Sequence, residues 1–259
     1  MQMEFQNIKF QIQDRVAWIT LARPPLNVLN IAMMREIGAA LNDCAERRDL
    51  AAIVFDAENG SRAFSAGVAI EEHVADTVFK MLDSFHHIFR TLHQISKPVV
   101  AIVDGPALGG GCELVAACDI VFASQRARFG QPEIKLGVFP PVAAVILPGI
   151  VGQKKAREMT LLGEIVDANE ALRLGLVNHV VPSSELNQQA EAALTKLRDL
   201  SSVALQFTRN ALDLGRKGDF ESALTEVENL YLNELMKTED ATEGVRSFME
   251  KRKPEWRNK

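Results

Sequence analysis

The chain has 259 residues, 47% hydrophobic and 24% charged, a balance that excludes a disordered or collagen-like polymer and suits one large folded domain or two. Its net charge of −5 and pI near 5.6 argue against a nucleic-acid partner, which an acidic field repels. The one dense basic run, Lys251-Arg252-Lys253, reads as a solvated tail or a phosphate contact.

The segment Met1 to Phe10 lacks the apolar block of a signal peptide, and no stretch reaches the roughly 18–20 apolar residues of a membrane span. Cys44, Cys112 and Cys118 are odd in number and lack CxxC spacing, so neither a disulfide framework nor a zinc site is expected. A reducing compartment, the cytoplasm, and no membrane partner follow as expectations.

In chain order, Ile8 to Leu21 reads as two short strands hinged at Gln13-Asp14, and Leu26 to Arg47 as a loop entering an amphipathic helix. Ala52 to Asp56 reads as a buried strand. Pro98 to Val103 predicts another, followed by a glycine-bearing loop, Gly105 to Gly111, a helix, Cys112 to Ala117, and a strand, Ile120 to Ala123. Strands alternating with helices imply a mostly parallel sheet. After Gly152 the spacing is helical over Lys154–Leu162, Ala168–Arg173, Glu185–Leu200, Ala204–Leu214 and Phe220–Met236, with Val177–Val181 as the strand exception. The expected plan is an α/β core followed by a helical extension, without internal repeats.

The densest chemical signal is Gly105-Pro-Ala-Leu-Gly-Gly-Gly-Cys-Glu-Leu114, a strand-to-helix turn whose glycines allow close backbone approach and leave N–H groups unpaired. It reads equally as an anion-receiving turn or as tight helix–sheet packing. No Lys-Ser or Lys-Thr follows, which excludes a Walker A loop, and the GxGxxG spacing is absent. A second turn, Phe64-Ser-Ala-Gly-Val68, follows the Ile53–Asp56 strand. Ser65 is not in GxSxG context and no histidine has a recognisable partner, which disfavours a serine hydrolase or protease. Glu113 and Glu133 both stand at expected helix starts, where a carboxylate gains from the helix dipole. His73, His86, His87 and His93 lack the i, i+4 pairing of a helix zinc site, so surface or interface histidines and no metal are expected.

Taken together, FSAG, GPALGGGCEL, CDI, FGQPEIKLG and the terminal FMEKRKPEW stand in the order and approximate spacing of the crotonase, or enoyl-CoA hydratase/isomerase, superfamily, which the chain resembles from about Phe10 to its C-terminus. The resemblance implies a crotonase-like (ClpP/crotonase) spiral of ββα units, with a core and catalytic site over 1–195 and a helical trimerisation region over 196–259. It implies that the backbone N–H groups of Val68 and Gly110 form an oxyanion hole for a thioester. Each such donor contributes about 2.7–4 kcal/mol of transition-state stabilisation. It also implies that Glu113 and Glu133 hold a water against the β-carbon and deliver a proton to the α-carbon. Relatives that only isomerise commonly lack the first glutamate.

The family's contacts to coenzyme A fall on Arg23, Leu26, Val28, Ala63, Ser65 and Ala66, with Lys251 reaching a neighbouring subunit's ligand. Coenzyme A is part of the substrate, and no separate cofactor is implied. A homotrimer or dimer of trimers is expected. Three departures stand out. Ala69 replaces a common Asp, Phe139-Pro-Pro-Val-Ala-Ala144 replaces a glycine-rich segment so that Pro141 brings no N–H, and no third acid stands there. FSAGVAIEEH with the Pro-Pro-Val-Ala-Ala segment is similar to cyclohexa-1,5-dienecarbonyl-CoA hydratases, whose substrate suits an apolar acyl pocket at Val68, Ile70, Phe139, Pro141 and Val142. A straight-chain 2-enoyl-CoA hydratase and a catalytically silent crotonase-fold binding protein are the alternatives.

Overall fold

The computed structural model describes residues 5–216 and 218–259. Strands β1 (Ile8–Gln13) and β2 (Val16–Leu21) form an antiparallel hairpin. Its two-residue turn is Asp14-Arg15, one residue later than expected. Both residues have positive φ, 47° and 65°, the conformation whose twist matches that of paired strands. Then come α1 (Ile31–Glu46), β3 (Ala52–Ala57), α2 (Val78–Gln94) and β4 (Val99–Val103). They are followed by β5 (Pro106–Leu108), α3 (Gly110–Ala116), β6 (Ile120–Ser124) and β7 (Arg128–Gly130).

Strands β1-β2-β3-β4 and β6 lie side by side in one sheet, parallel beyond the first hairpin. Its central strands read as continuous apolar runs because both faces are covered. Alternate residues divide between two cores. Ile53 and Phe55 of β3 face the side of α1 and α2, while Ala52 and Val54 belong to a smaller cluster on the opposite face. Helix α2 buries Met81, Phe85, Ile88 and Leu92, one stripe at helical spacing.

The second half contains α4 (Pro141–Val151), α5 (Gln153–Leu162), β8 (Ile165–Asp167), α6 (Ala168–Arg173) and β9 (His179–Val181). Helices α7 (Ser183–Arg198), α8 (Ser202–Leu214), α9 (Phe220–Asn233) and α10 (Glu239–Met249) complete the chain. Strand β9 joins the large sheet beside β6. Helix α7 covers the sheet's second face through Leu186, Ala190 and Leu194, so the expected division at 195/196 falls inside one packed helix. The expected helix Phe220–Met236 ends at Asn233, and a 3-10 turn over Leu235–Lys237 leads to α10. Among the described residues no helix is long and apolar enough to cross a membrane.

The sequence reading misses a second sheet, β5-β7-β8, whose three-residue strands are too short to show a period. The glycine loop expected over Gly105–Gly111 therefore contains a strand, and the segment after Gly152 contains β8 as well as β9. Strand β5 also pulls the two glycine turns together. Ser65 donates its N–H to the Pro106 carbonyl at 3.2 Å, and Leu108 donates to the Ser65 carbonyl at 2.9 Å.

Candidate active site

Val68 owes its orientation to pairing with the loop that precedes α1. Leu29 donates to the Gly67 carbonyl at 2.9 Å, and Ala69 donates to the Leu29 carbonyl at 3.0 Å. The C=O and N–H of one peptide point opposite ways. Fixing the Gly67 carbonyl on Leu29 therefore turns the Val68 N–H outward, where Val68 lines a cleft.

Asn27 braces this arrangement from beneath. It is fully buried and takes a left-handed φ of 48°, a region asparagine tolerates better than most residues. Its amide donates to the Ala63 carbonyl at 3.1 Å and accepts the Arg23 N–H at 2.9 Å. Its own carbonyl accepts the Ser65 hydroxyl at 2.8 Å. Ser65 Oγ also accepts the Gly67 N–H at 3.2 Å, so this hydroxyl is a buried internal brace rather than a nucleophile.

The second turn meets the first at van der Waals distance. Gly109 has φ 51° and donates its N–H to Gly130. A Cβ at Gly109 would collide with Oε1 of Glu133. Gly110 opens α3, so its N–H has no carbonyl of its own helix to meet. A Cβ at Gly110 would lie 2.8 Å from Val68 Cγ2 and 2.9 Å from the Phe85 ring. Among the described residues, neither the Val68 nor the Gly110 N–H donates to another group.

Glu113, in the first turn of α3, is 2% exposed. Its Oε1 accepts the Ala143 N–H at 2.7 Å. Ala143 lies in the first turn of α4, where Pro140 and Pro141 lead in without donors. Burial pushes the Glu113 carboxyl up to about 8, the nearby Glu133 adds to the rise, and the Ala143 and Val142 amides oppose it. Glu133 lies in a 3-10 turn, Pro132–Leu136, rather than an α-helix. Burial raises its carboxyl too, and its Oε2 is buried without a partner among the described residues. Two carboxyls lining one cleft resist double ionisation.

Both glutamates, Val68 and Gly110 line one cleft of about 540 Å³. Ala66, Ile70, Phe139 and Pro141 line it as well, and α2 supplies a wall of Val78, Met81, Leu82 and Phe85 that the sequence reading misses. Val142 is a correction. It faces a separate cleft with Phe89, Ala116 and Ile146, because successive helix residues point about 100° apart.

Ala63 and Ser65 are buried and do not line the cleft, and both backbone groups of Ser65 are paired with β5. The Arg23 guanidinium donates to the Val28 carbonyl at 2.8 Å, and Leu26, half exposed at 43%, accepts the Ala66 N–H. Lys251 is exposed beyond α10 and does not line the cleft. Of His73, His86, His87 and His93, His73 lines the cleft. Asn27 is a polar residue that the sequence reading passes over, and His73 is one that it leaves without a role. Asn27 carried one signal, an amide residue amid apolar neighbours where a turn needs positive φ.

The family model for enoyl-CoA hydratase/isomerase matches residues 11–259. The chain is 37% identical to the cyclohexa-1,5-dienecarbonyl-CoA hydratase of Thauera aromatica, covering 93% of this chain and 92% of that one. It is 35% identical to the short-chain-enoyl-CoA hydratase of Clostridium acetobutylicum, covering 98% of each. A solved enoyl-CoA hydratase from Geobacillus kaustophilus superposes with a TM-score of 0.91 at 33% identity, over 99% of this chain and 100% of that one. With its paired sheets, twin glycine turns, buried Glu113 and half-buried Glu133, the chain has the crotonase fold and belongs to the enoyl-CoA hydratase/isomerase family of enzymes.

Proposed function

We propose that this enzyme adds water to, or removes it from, a conjugated enoyl-CoA thioester, with Glu113 and Glu133 as its acid–base pair and the Val68 and Gly110 amides as its oxyanion hole. The observation that supports this reading is that two residues with unpaired amides and two with raised carboxyls line one apolar cleft. In the forward direction one carboxylate takes a proton from water as the oxygen bonds to the β-carbon. The electron pair moves onto the thioester oxygen, where the two N–H groups receive it. The other carboxyl gives its proton to the α-carbon as the carbonyl re-forms. One water is consumed, the pair has exchanged protonation states, and no electrons leave the substrate, so the step needs no redox cofactor.

For the acyl group we propose a cyclic dienoyl thioester, cyclohexa-1,5-dienecarbonyl-CoA. The wide wall of Ile70, Leu82, Phe85 and Phe139 and the likeness to the Thauera enzyme support it. On this substrate the proton goes to the γ-carbon of the dienolate instead of the α-carbon: water added at C2 with protonation at C5 leaves the remaining double bond conjugated with the carbonyl, giving 6-hydroxycyclohex-1-enecarbonyl-CoA. The likeness to the Clostridium enzyme supports the straight-chain alternative. Coenzyme A is placed along Arg23–Val28 and Ala63–Ala66, with Lys251 toward a neighbour's ligand. Exposed Leu212, Phe220, Phe248 and Met249 on the C-terminal helices support a homotrimer or dimer of trimers, and three free cysteines fit the cytoplasm.

Incubating the purified enzyme with cyclohexa-1,5-dienecarbonyl-CoA and with crotonyl-CoA tests the reading. Turnover of the first alone selects the cyclic substrate, and turnover of crotonyl-CoA alone selects the straight chain. Inertness toward both removes the hydratase assignment in favour of a silent binding protein.

A further inference from the structure

We infer that His73 is a positioning residue for the oxyanion hole, holding the turn that presents the Val68 N–H through its Nδ1 rather than touching the acyl group through Nε2. This inference rests on the hydratase reading of the cleft. Ala69 follows the donor residue directly, is fully buried, and has no polar side chain to steady the turn. Its N–H is held by the Leu29 carbonyl at 3.0 Å. Its carbonyl accepts the Glu72 N–H at 3.2 Å and lies 2.9 Å from His73 Nδ1. A carbonyl only accepts, so Nδ1 carries the hydrogen and the ring is fixed.

The far end of the same turn is anchored independently. The Glu72 carboxylate accepts the Ile31 N–H at 2.9 and 3.1 Å, joining the turn to the start of α1. The peptides on both sides of Ala69 are thereby tied down, and among the described residues His73 supplies the one side-chain bond to the Ala69 carbonyl. An oxyanion donor is effective only if its direction is set before the charge develops. Losing this clamp should therefore lower turnover while leaving the binding of the CoA portion intact.

Three variants and one probe test it. His73→Ala should lower kcat about tenfold with KM nearly unchanged. His73→Asn, whose side-chain N–H falls near the position of Nδ1, should recover most of the loss. His73→Gln, whose N–H falls near Nε2, should not. Unchanged kcat in His73→Ala, or rescue by Gln and not by Asn, overturns the inference. The probe is 4-(dimethylamino)cinnamoyl-CoA, a push–pull chromophore whose absorption moves red when its carbonyl is polarised, followed by titration with each protein. Wild type should shift it and His73→Ala should shift it less at saturation, a readout that stands even where the variant is inactive. An equal shift in His73→Ala overturns this inference alone. No shift in wild type overturns the hydratase reading and the inference together.

Discussion

Oε1 of Glu113 accepts the backbone N–H of Ala143 at 2.7 Å, so a carboxyl on the first turn of one helix closes the open N-terminus of another. The bond aims one carboxyl oxygen at α4 and ties α3, α4 and the cleft into one unit. It does not cancel the cost of burial, because the carboxyl is still raised to about 8.

That rise fixes a pH dependence. Glu113 has an ordinary value of 4.5 and a folded value of about 8, so the folded chain keeps a proton that the unfolded chain has lost. Its stabilising contribution is complete below about 4.5 and is lost as pH climbs through about 8. Thermal unfolding of wild type should show stability falling across this interval, by up to about 1.4 kcal/mol per pH unit. Glu113→Gln keeps an acceptor for Ala143 without the charge and should give a flatter curve. Parallel curves for the two proteins would refute the buried proton.

In turnover, Glu113→Gln and Glu133→Gln should each lower kcat by about 10² to 10⁴, the range typical of a lost general acid or base, with smaller changes in KM. Steady-state kinetics on the acyl-CoA that wild type accepts provides the check. A variant that keeps full kcat would remove its glutamate from the mechanism.

The two proposed donor positions should respond differently to a methyl group. Val68→Ala should keep kcat within severalfold, because the donor is backbone. Gly110→Ala should lose about tenfold or more, since its Cβ would meet Val68 Cγ2 at 2.8 Å and the Phe85 ring at 2.9 Å. The double variant should recover part of that loss by removing Cγ2, a coupling that a double-mutant cycle measures. Strict additivity would deny the contact.

Asn27→Ala removes an acceptor from the Arg23 N–H and a donor from the Ala63 carbonyl, inside a fully buried turn. Each polar group left unmatched costs about 1–3 kcal/mol. Denaturant unfolding should show that loss, and KM for the acyl-CoA should rise. A neutral substitution would mean that the turn holds itself.

Phe139 is 68% exposed yet lines the cleft. Phe139→Ala should change folding stability by no more than about 0.5 kcal/mol. It should change the ratio of kcat/KM between cyclic and straight-chain substrates by about tenfold, the scale of a few buried carbons. A constant ratio would place the acyl group elsewhere.

The glycine turns and both glutamates were legible because each is a local pattern with a chemical requirement behind it. Strands β3 and β4 were legible too, as apolar runs buried on both faces. What eluded the sequence was set by distant partners. Strand β5 exists because Ser65 and β7 pair with it, and three residues cannot announce that alone. The resemblance of the Pro-Pro-Val-Ala-Ala segment points to Val142 as part of the acyl wall, but one step along the helix from Pro141 turns it into another cleft. Asn27 and His73 act through hydrogen bonds to backbone groups across a turn, and no spacing rule reports such bonds.

The Leu29–Val68 pairing has a consequence for how such an enzyme can vary. Because Val68 would donate through its main chain, almost any side chain could occupy that position during divergence without erasing the donor; proline, which lacks an N–H, is the obvious exception. Lineages can therefore trade one acyl preference for another by altering the lining alone, while strand-like pairing keeps the charge-receiving corner beyond the reach of most single-codon changes.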